Sequence, residues 1–171
     1  MFEGWENFYL MIGGAAGALI GLLFVVETLT GSIDADKAAM GARVYLTPTV
    51  SHFAVILAVS AVTAAPRLNP WADAALLIAA GLWGLGYSAN VSVMLSRRQG
   101  PTAPHWTDFW CYGCAPGAFY LGQIAAAVAL GMGVWWGQDA LAAALLALLL
   151  LTIRNAWDLV VAIAPIANSK S

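Results

Sequence analysis

The chain has 171 residues, of which 61% are hydrophobic and 9% charged, with a net charge of −2 and a mean hydropathy of +0.79. Soluble domains carry roughly a quarter charged residues, and no soluble fold of this length has enough interior to hide so much apolar surface. The class expected is therefore an all-α polytopic membrane protein, a single transmembrane domain over residues 1–171 with the lipid bilayer as its solvent. No basic patch or stripe suggests a nucleic-acid partner, and two cysteines do not make a disulfide framework.

A membrane span needs about 20 apolar residues, because the hydrocarbon core is ~30 Å thick. Five stretches qualify, at residues 8–29, 44–65, 71–95, 114–136 and 140–165. They are separated by segments 30–43, 66–70 and 96–110 and by the short turn Gly137-Gln138-Asp139, none of which accommodates a soluble domain. The opening Met-Phe-Glu-Gly-Trp-Glu carries acids and no Lys or Arg. It lacks the basic n-region of a signal peptide, so the first stretch is expected to be retained. An N-out, C-in arrangement puts Lys37, Arg43, Arg97, Arg98 and Lys170 inside and leaves only Arg67 outside, as the positive-inside rule asks. Trp5, Trp71, Trp135 and Trp136 then fall at the outer interface, and Trp106, Trp110 and Trp157 near the inner one. Amphipathic rings favour both layers. No internal repeat is evident. An odd number of spans disfavours an inverted-repeat transporter within one chain.

The first span carries Gly13, Gly17 and Gly21 at four-residue spacing, beside Gly14, Ala15, Ala16 and Ala18. Small residues at that spacing let helix backbones approach closely in lipid. The stripe packs helices within the chain or between copies in a homo-oligomer, or it lines a narrow conduit. At 100° per residue Glu6, Gly13, Gly17, Phe24 and Glu27 share one broad face. Glu6 and Glu27 stand roughly 30 Å apart at the rise of an α-helix, Glu6 as the outer mouth and Glu27 toward the inner one. In a ring of protomers, acids at both mouths would favour cations.

Polar residues collect toward the inner side. Charges inside spans usually face a bundle interior or a water-filled cavity, and Glu27, Arg154 and Asp158 are the clear cases. Arg154 and Asp158 are one helical turn apart, close enough to pair. The second span begins with Thr47, Pro48, Thr49, Ser51 and His52, the third ends with Ser88, Asn90 and Ser92, and the fourth begins with Tyr120 and Gln123. The outer halves of these spans read as almost pure Ala, Leu, Val and Gly. Two interpretations are open. One is a hydrogen-bonded network that fixes helix register, with Arg154 neutralised by Asp158 or Glu27. The other is a cytoplasm-facing vestibule for an ion, a proton or a small solute, with Glu27 as the ion- or proton-accepting carboxylate. His52 would be its titratable neighbour. Asn90 would contribute to the path, and Arg154–Asp158 would be a positioning or gating pair.

His105, Cys111 and Cys114 surround the start of the fourth span. They read as incidental residues, a redox pair, or half of a zinc site that lacks a fourth ligand. Ala115, where a c-type haem motif needs His, argues against that attachment. No phosphate loop, nucleophile elbow or metalloprotease helix is present. No enzyme activity, cofactor or metal is expected.

Asn7-Phe8-Tyr9 followed by GGAAGALIGLLFVVETL (13–29), together with IRNAWDLV (153–160), resembles a group of uncharacterised small bacterial integral membrane proteins. The resemblance implies a bacterial cytoplasmic membrane and no particular activity. ALIGLLFVVE, ending at Glu27, is also similar in flavour to the pore helix of Orai calcium channels, which implies an ion-selecting role for Glu27. The chain departs from that family in having five spans rather than four and no basic section along the first. By the charge rule its Glu27 faces the cytoplasm, whereas the Orai glutamate ring is extracellular. The function expected is channel-like or transporter-like conduction of a cation or proton by a homo-oligomer, through Glu27, His52, Asn90, Arg154 and Asp158. The alternatives are an accessory subunit of a larger membrane complex and an intramembrane cofactor binder.

Overall fold

The structure, a computed structural model, describes residues 4–30, 45–65, 69–97 and 105–168, with side chains to 28 in the first segment and 161 in the last. Lys37, Arg43, Arg67, Arg98 and Lys170, which carry the charge asymmetry, lie outside the described residues. Among the described residues there are five long helices: α1 (Glu6–Thr30), α2 (Thr47–Ala64), α3 (Pro70–Ser96), α4 (Ala115–Gly131) and α5 (Gly137–Asn168). Each belongs to a helical stretch long and apolar enough to cross a membrane. No strand occurs among the described residues.

The helices pack in sequence order, α1 on α2, α2 on α3, α3 on α4 and α4 on α5, and α1 touches α5 to close the ring. α2 also reaches across to α5, so it is the most enclosed helix. Half of its apolar window is buried, against 28% for α1. The main core joins Tyr9, Ile12, Phe53, Ile56, Leu77, Tyr120, Leu141, Leu145 and Leu148. Outside it a belt of large apolar side chains stays exposed, including Leu10, Phe24, Leu76, Trp83, Leu150 and Trp157.

Glycines set the approach of neighbouring helices at several contacts, two of which flank the polar interior. A Cβ on Gly13 would come within 2.7 Å of Ser60 Cβ, so α1 and α2 can meet this closely only with glycine there. A Cβ on Gly84 would overlap the Tyr120 ring. That notch in α3 lets a tyrosine of α4 lie flat against backbone.

Several helix ends differ from the sequence expectation for physical reasons. The fourth apolar stretch begins at Trp106 rather than 114. One helical turn (Trp106–Asp108) is capped by His105, whose side chain accepts from the Thr107 amide. A π-helical segment (Phe109–Cys114) then leads into α4. Ala115 N–H bonds back to the Trp110 carbonyl, five residues away. The next donor in that pattern would be Pro116, which has none. The Cys111 carbonyl instead accepts from Asn155 Nδ2 at 2.8 Å. At its far end α4 stops at Gly131 rather than 136. Gly133 takes φ 73°, its N–H bonds Leu130 O at 3.0 Å, and Val134 N–H bonds Ala129 O at 2.9 Å. These are the paired bonds of a Schellman motif. Gly137, expected in the turn, is instead the first residue of α5. α3 opens with Asn69 accepting from the Trp71 amide at 3.0 Å ahead of Pro70, a cap followed by a residue whose missing N–H needs no partner.

Candidate functional site

The buried face of α2 is a ladder of polar residues. Thr49, His52, Ser60 and Thr63 follow one another at intervals of three, eight and three residues, so they share one side of the helix, and all four are buried. Thr49 Oγ1 donates to its own helix at Tyr45 O (2.7 Å), and Thr63 Oγ1 does so at Val59 O (3.1 Å) and Ser60 O (2.9 Å). His52 bonds across the bundle, with Nδ1 2.8 Å from the Tyr120 hydroxyl. Both rings are almost fully enclosed, at 1% and 0% exposure. Tyr87 of α3 meets the imidazole edge-on at 6.3 Å. One turn along α4, Gln123 Nε2 donates to Leu77 O at 2.9 Å. Four atoms in this interior have no protein partner: His52 Nε2, Ser60 Oγ, Ser88 Oγ and Gln123 Oε1.

A second network ties the π-helical segment to α5. Tyr112 OH donates to Asn155 O at 3.1 Å, complementing the Asn155–Cys111 bond in the opposite direction. Tyr45 OH donates to Asp108 Oδ2 at 3.4 Å, and the Tyr45 and Tyr112 rings meet edge-on at 5.1 Å. Arg154 Nη1 donates to Asn155 Oδ1 at 3.3 Å, and Arg154 Nη2 pairs with Asp158 Oδ2 at 3.0 Å.

The five path residues expected from sequence do not share a face. At ~1.5 Å per residue, Glu27, Asn90 and Asp158 each lie about 30 Å along their helix from its opposite end. Only His52 is in the core. Asn90 is exposed on α3 and Glu27 is half-buried near the end of α1. Arg154 and Asp158 are each close to half exposed. Of the two carboxylates considered for Arg154, Asp158 is the one it contacts. Glu6 is exposed in the first turn of α1. The glycine stripe divides: Gly13 packs on Ser60 and a Cβ on Gly17 would lie 4.0 Å from Leu57 Cδ1, while Gly14 and Gly21 have open space beside them. Cys111 and Cys114 are free, partly buried thiols. His105 Nδ1 is 2.9 Å from Thr107 Oγ1. Among the described residues no group of three or more His, Cys, Asp or Glu could hold a metal ion.

Tyr120, Ser88 and Gln123 are expected from sequence in the polar layer, but the direct bond of Tyr120 to α2 is not. Sequence reasoning missed Ser60, Thr63, Tyr45, Asp108 and Tyr112. The signal for Ser60 and Thr63 was the helical phase they share with His52, which runs the polar face into the half that read as purely apolar.

The fold and site define a class, an all-α bundle of five helices each long and apolar enough to span a membrane, with a buried histidine–tyrosine pair inside. No protein-family model matches the chain, and no curated protein or solved structure does either.

Proposed function

We propose that the chain is a multi-pass protein of a bacterial cytoplasmic membrane, N-terminus outside and C-terminus inside, and that it conducts protons through the interior of the bundle. The observation that carries this reading is the His52–Tyr120 pair, enclosed on every side and bonded at 2.8 Å. A protein interior bears the cost of a buried histidine when the group is used or fully bonded, and here Nε2 has no protein partner. The relay is balanced. With Nδ1 protonated, Nε2 takes a proton from a water as Nδ1 passes its own to the Tyr120 oxygen and Tyr120 releases its hydroxyl proton to a second water; a ring flip then restores the Nδ1–H tautomer. Among cations, the proton suits this interior best, because its polar groups are single hydroxyls, an amide and an imidazole rather than a cage of carboxylates.

Glu27 and the Arg154–Asp158 pair stand at the inner mouth, where they gather or gate the charge. The basic residues of segments 30–43 and 96–110 support that orientation. Gly14, Ala18 and Gly21, all exposed on α1, offer a close-packing face to a second copy. The test is flux in proteoliposomes with wild type, His52→Gln and Glu27→Gln under proton, sodium, potassium and calcium gradients. Proton flux lost in His52→Gln and reduced in Glu27→Gln supports the reading. Flux no greater than in empty vesicles for every ion would sink it.

One observation favours a second reading, an accessory subunit of a larger complex. The Arg154–Asp158 pair is half exposed on a face of α5 that also carries Ile153, Trp157 and Val161. A partner's helix laid over that face would shield the charges from lipid. Constant co-purification with a larger assembly in mild detergent is the result this reading requires.

A further inference from the structure

We infer that water enters the bundle and forms a file along the buried face of α2, solvating the four polar atoms that the protein leaves unpaired. Water and hydronium are the ligand class. The inference rests on the proton reading for its purpose.

The unpaired atoms carry the argument. His52, Ser88 and Gln123 are 1% exposed and Ser60 is 3% exposed, yet His52 Nε2, Ser88 Oγ, Gln123 Oε1 and Ser60 Oγ have no protein partner. Buried polar groups in folded proteins are nearly always bonded, and internal water is the usual partner where protein supplies none. A solitary unpaired atom would be a local defect. Four of them lie at successive depths: Ser88 level with Gly117, about one turn before Tyr120 on α4, then His52, Gln123 and Ser60.

At the helical rise, Thr49 lies about 6 Å beyond Tyr45, His52 about 10 Å, Ser60 about 22 Å and Thr63 about 27 Å. The long interval between His52 and Ser60 is divided by Gln123 of α4, whose Tyr120 reaches His52 across the bundle. Gln123 follows Tyr120 by one turn on α4, which runs antiparallel to α3, since Tyr120 meets Gly84 and Gln123 meets Leu77. At the near end Tyr45 bonds Asp108, a carboxylate close to the start of the helical stretch. The largest remaining step, from Gln123 to Ser60, is about 7 Å in depth. About two or three waters cover that distance at roughly 2.8 Å per hydrogen bond. The polar groups therefore mark a route, and water completes it.

Radiolytic hydroxyl footprinting of the full chain in lipid nanodiscs tests this without reference to transport. Phe53, next to His52 and equally enclosed at 0% exposure, is the internal control. Hydroxyl radicals formed from water at the pair oxidise Tyr120 and His52 several-fold faster than Phe53 after correction for intrinsic reactivity, and Gln123→Leu lowers the Tyr120 rate toward that of Phe53. Tyr120 and His52 labelled no faster than Phe53 in wild type would overturn the water file, whether or not protons flow. Fast labelling of Tyr120 with no proton flux would keep the water and overturn the proton reading instead.

Discussion

Tyr120 is held from three sides. Its hydroxyl bonds His52, its ring fills the Gly84 notch, and it belongs to the main apolar core. Tyr120→Phe leaves both imidazole nitrogens without a protein partner, and stranding a buried polar group costs about 1–3 kcal/mol. Thermal melting of the detergent-solubilised protein should fall accordingly, while Asn90→Ala, on an exposed side chain, should shift stability by no more than about 0.5 kcal/mol. Equal melting of the two variants would mean that the buried bond contributes nothing. Gly84→Ala should destabilise through the ring it displaces, by about 1–3 kcal/mol for overpacking. Composition alone singles out His52 as the one histidine within a span. Its partner was not legible in the same way, because Tyr120 lies 68 residues away and only the packing of α3 and α4 brings it to α2.

At the scale of the helix, existence was legible and ends were not. All five stretches expected from hydropathy are helices, because apolar runs of that length identify themselves without neighbours. The start of the fourth was hidden by Thr107 and Asp108, which read as loop but form a capped turn and a π-helical lead. The Asn155 amide that fills the carbonyl above Pro116 comes from another helix, so local sequence did not reveal it. Its other end, expected at 136, comes earlier because Gly133 supplies the glycine that a helix stop needs. Gly133→Ala should destabilise by about 1–2 kcal/mol, the cost of a left-handed conformation for a residue with Cβ, measured by the same melting assay. The glycines of α1 separate folding from assembly. Gly13→Leu drives a side chain into Ser60 and should prevent the α1–α2 contact, whereas Gly14→Leu and Gly21→Leu point into open space and should leave the monomer folded. Size-exclusion chromatography with light scattering reads the outcome. Gly14→Leu converting an oligomer to monomer places the copy interface on that face, and an unchanged mass removes it from there.

At the scale of the whole molecule, depth was legible and azimuth was not. Reading the spans in register put Glu27, His52, Asn90, Arg154 and Asp158 toward one side. The packing of five helices then turns His52 inward and Asn90 and the Arg154–Asp158 pair outward. Helices with similar residues on several sides do not declare which side faces in, and α2 and α3 mix small apolar and small polar residues around most of their circumference. Orientation is open to direct test. With Cys111 and Cys114 replaced by serine, a single cysteine at Glu6 should react with an impermeant maleimide on intact cells, and one at Ser96 should react only after lysis. The central claim, that protons cross through the His52–Tyr120 pair, is tested most directly by proton uptake into proteoliposomes under a potassium–valinomycin potential. An interior pH dye should report wild-type uptake at least tenfold above empty vesicles, and His52→Gln and Tyr120→Phe, matched for folded protein, should each lose most of it. Uptake at the wild-type rate in either folded variant, or none in wild type, would contradict the account.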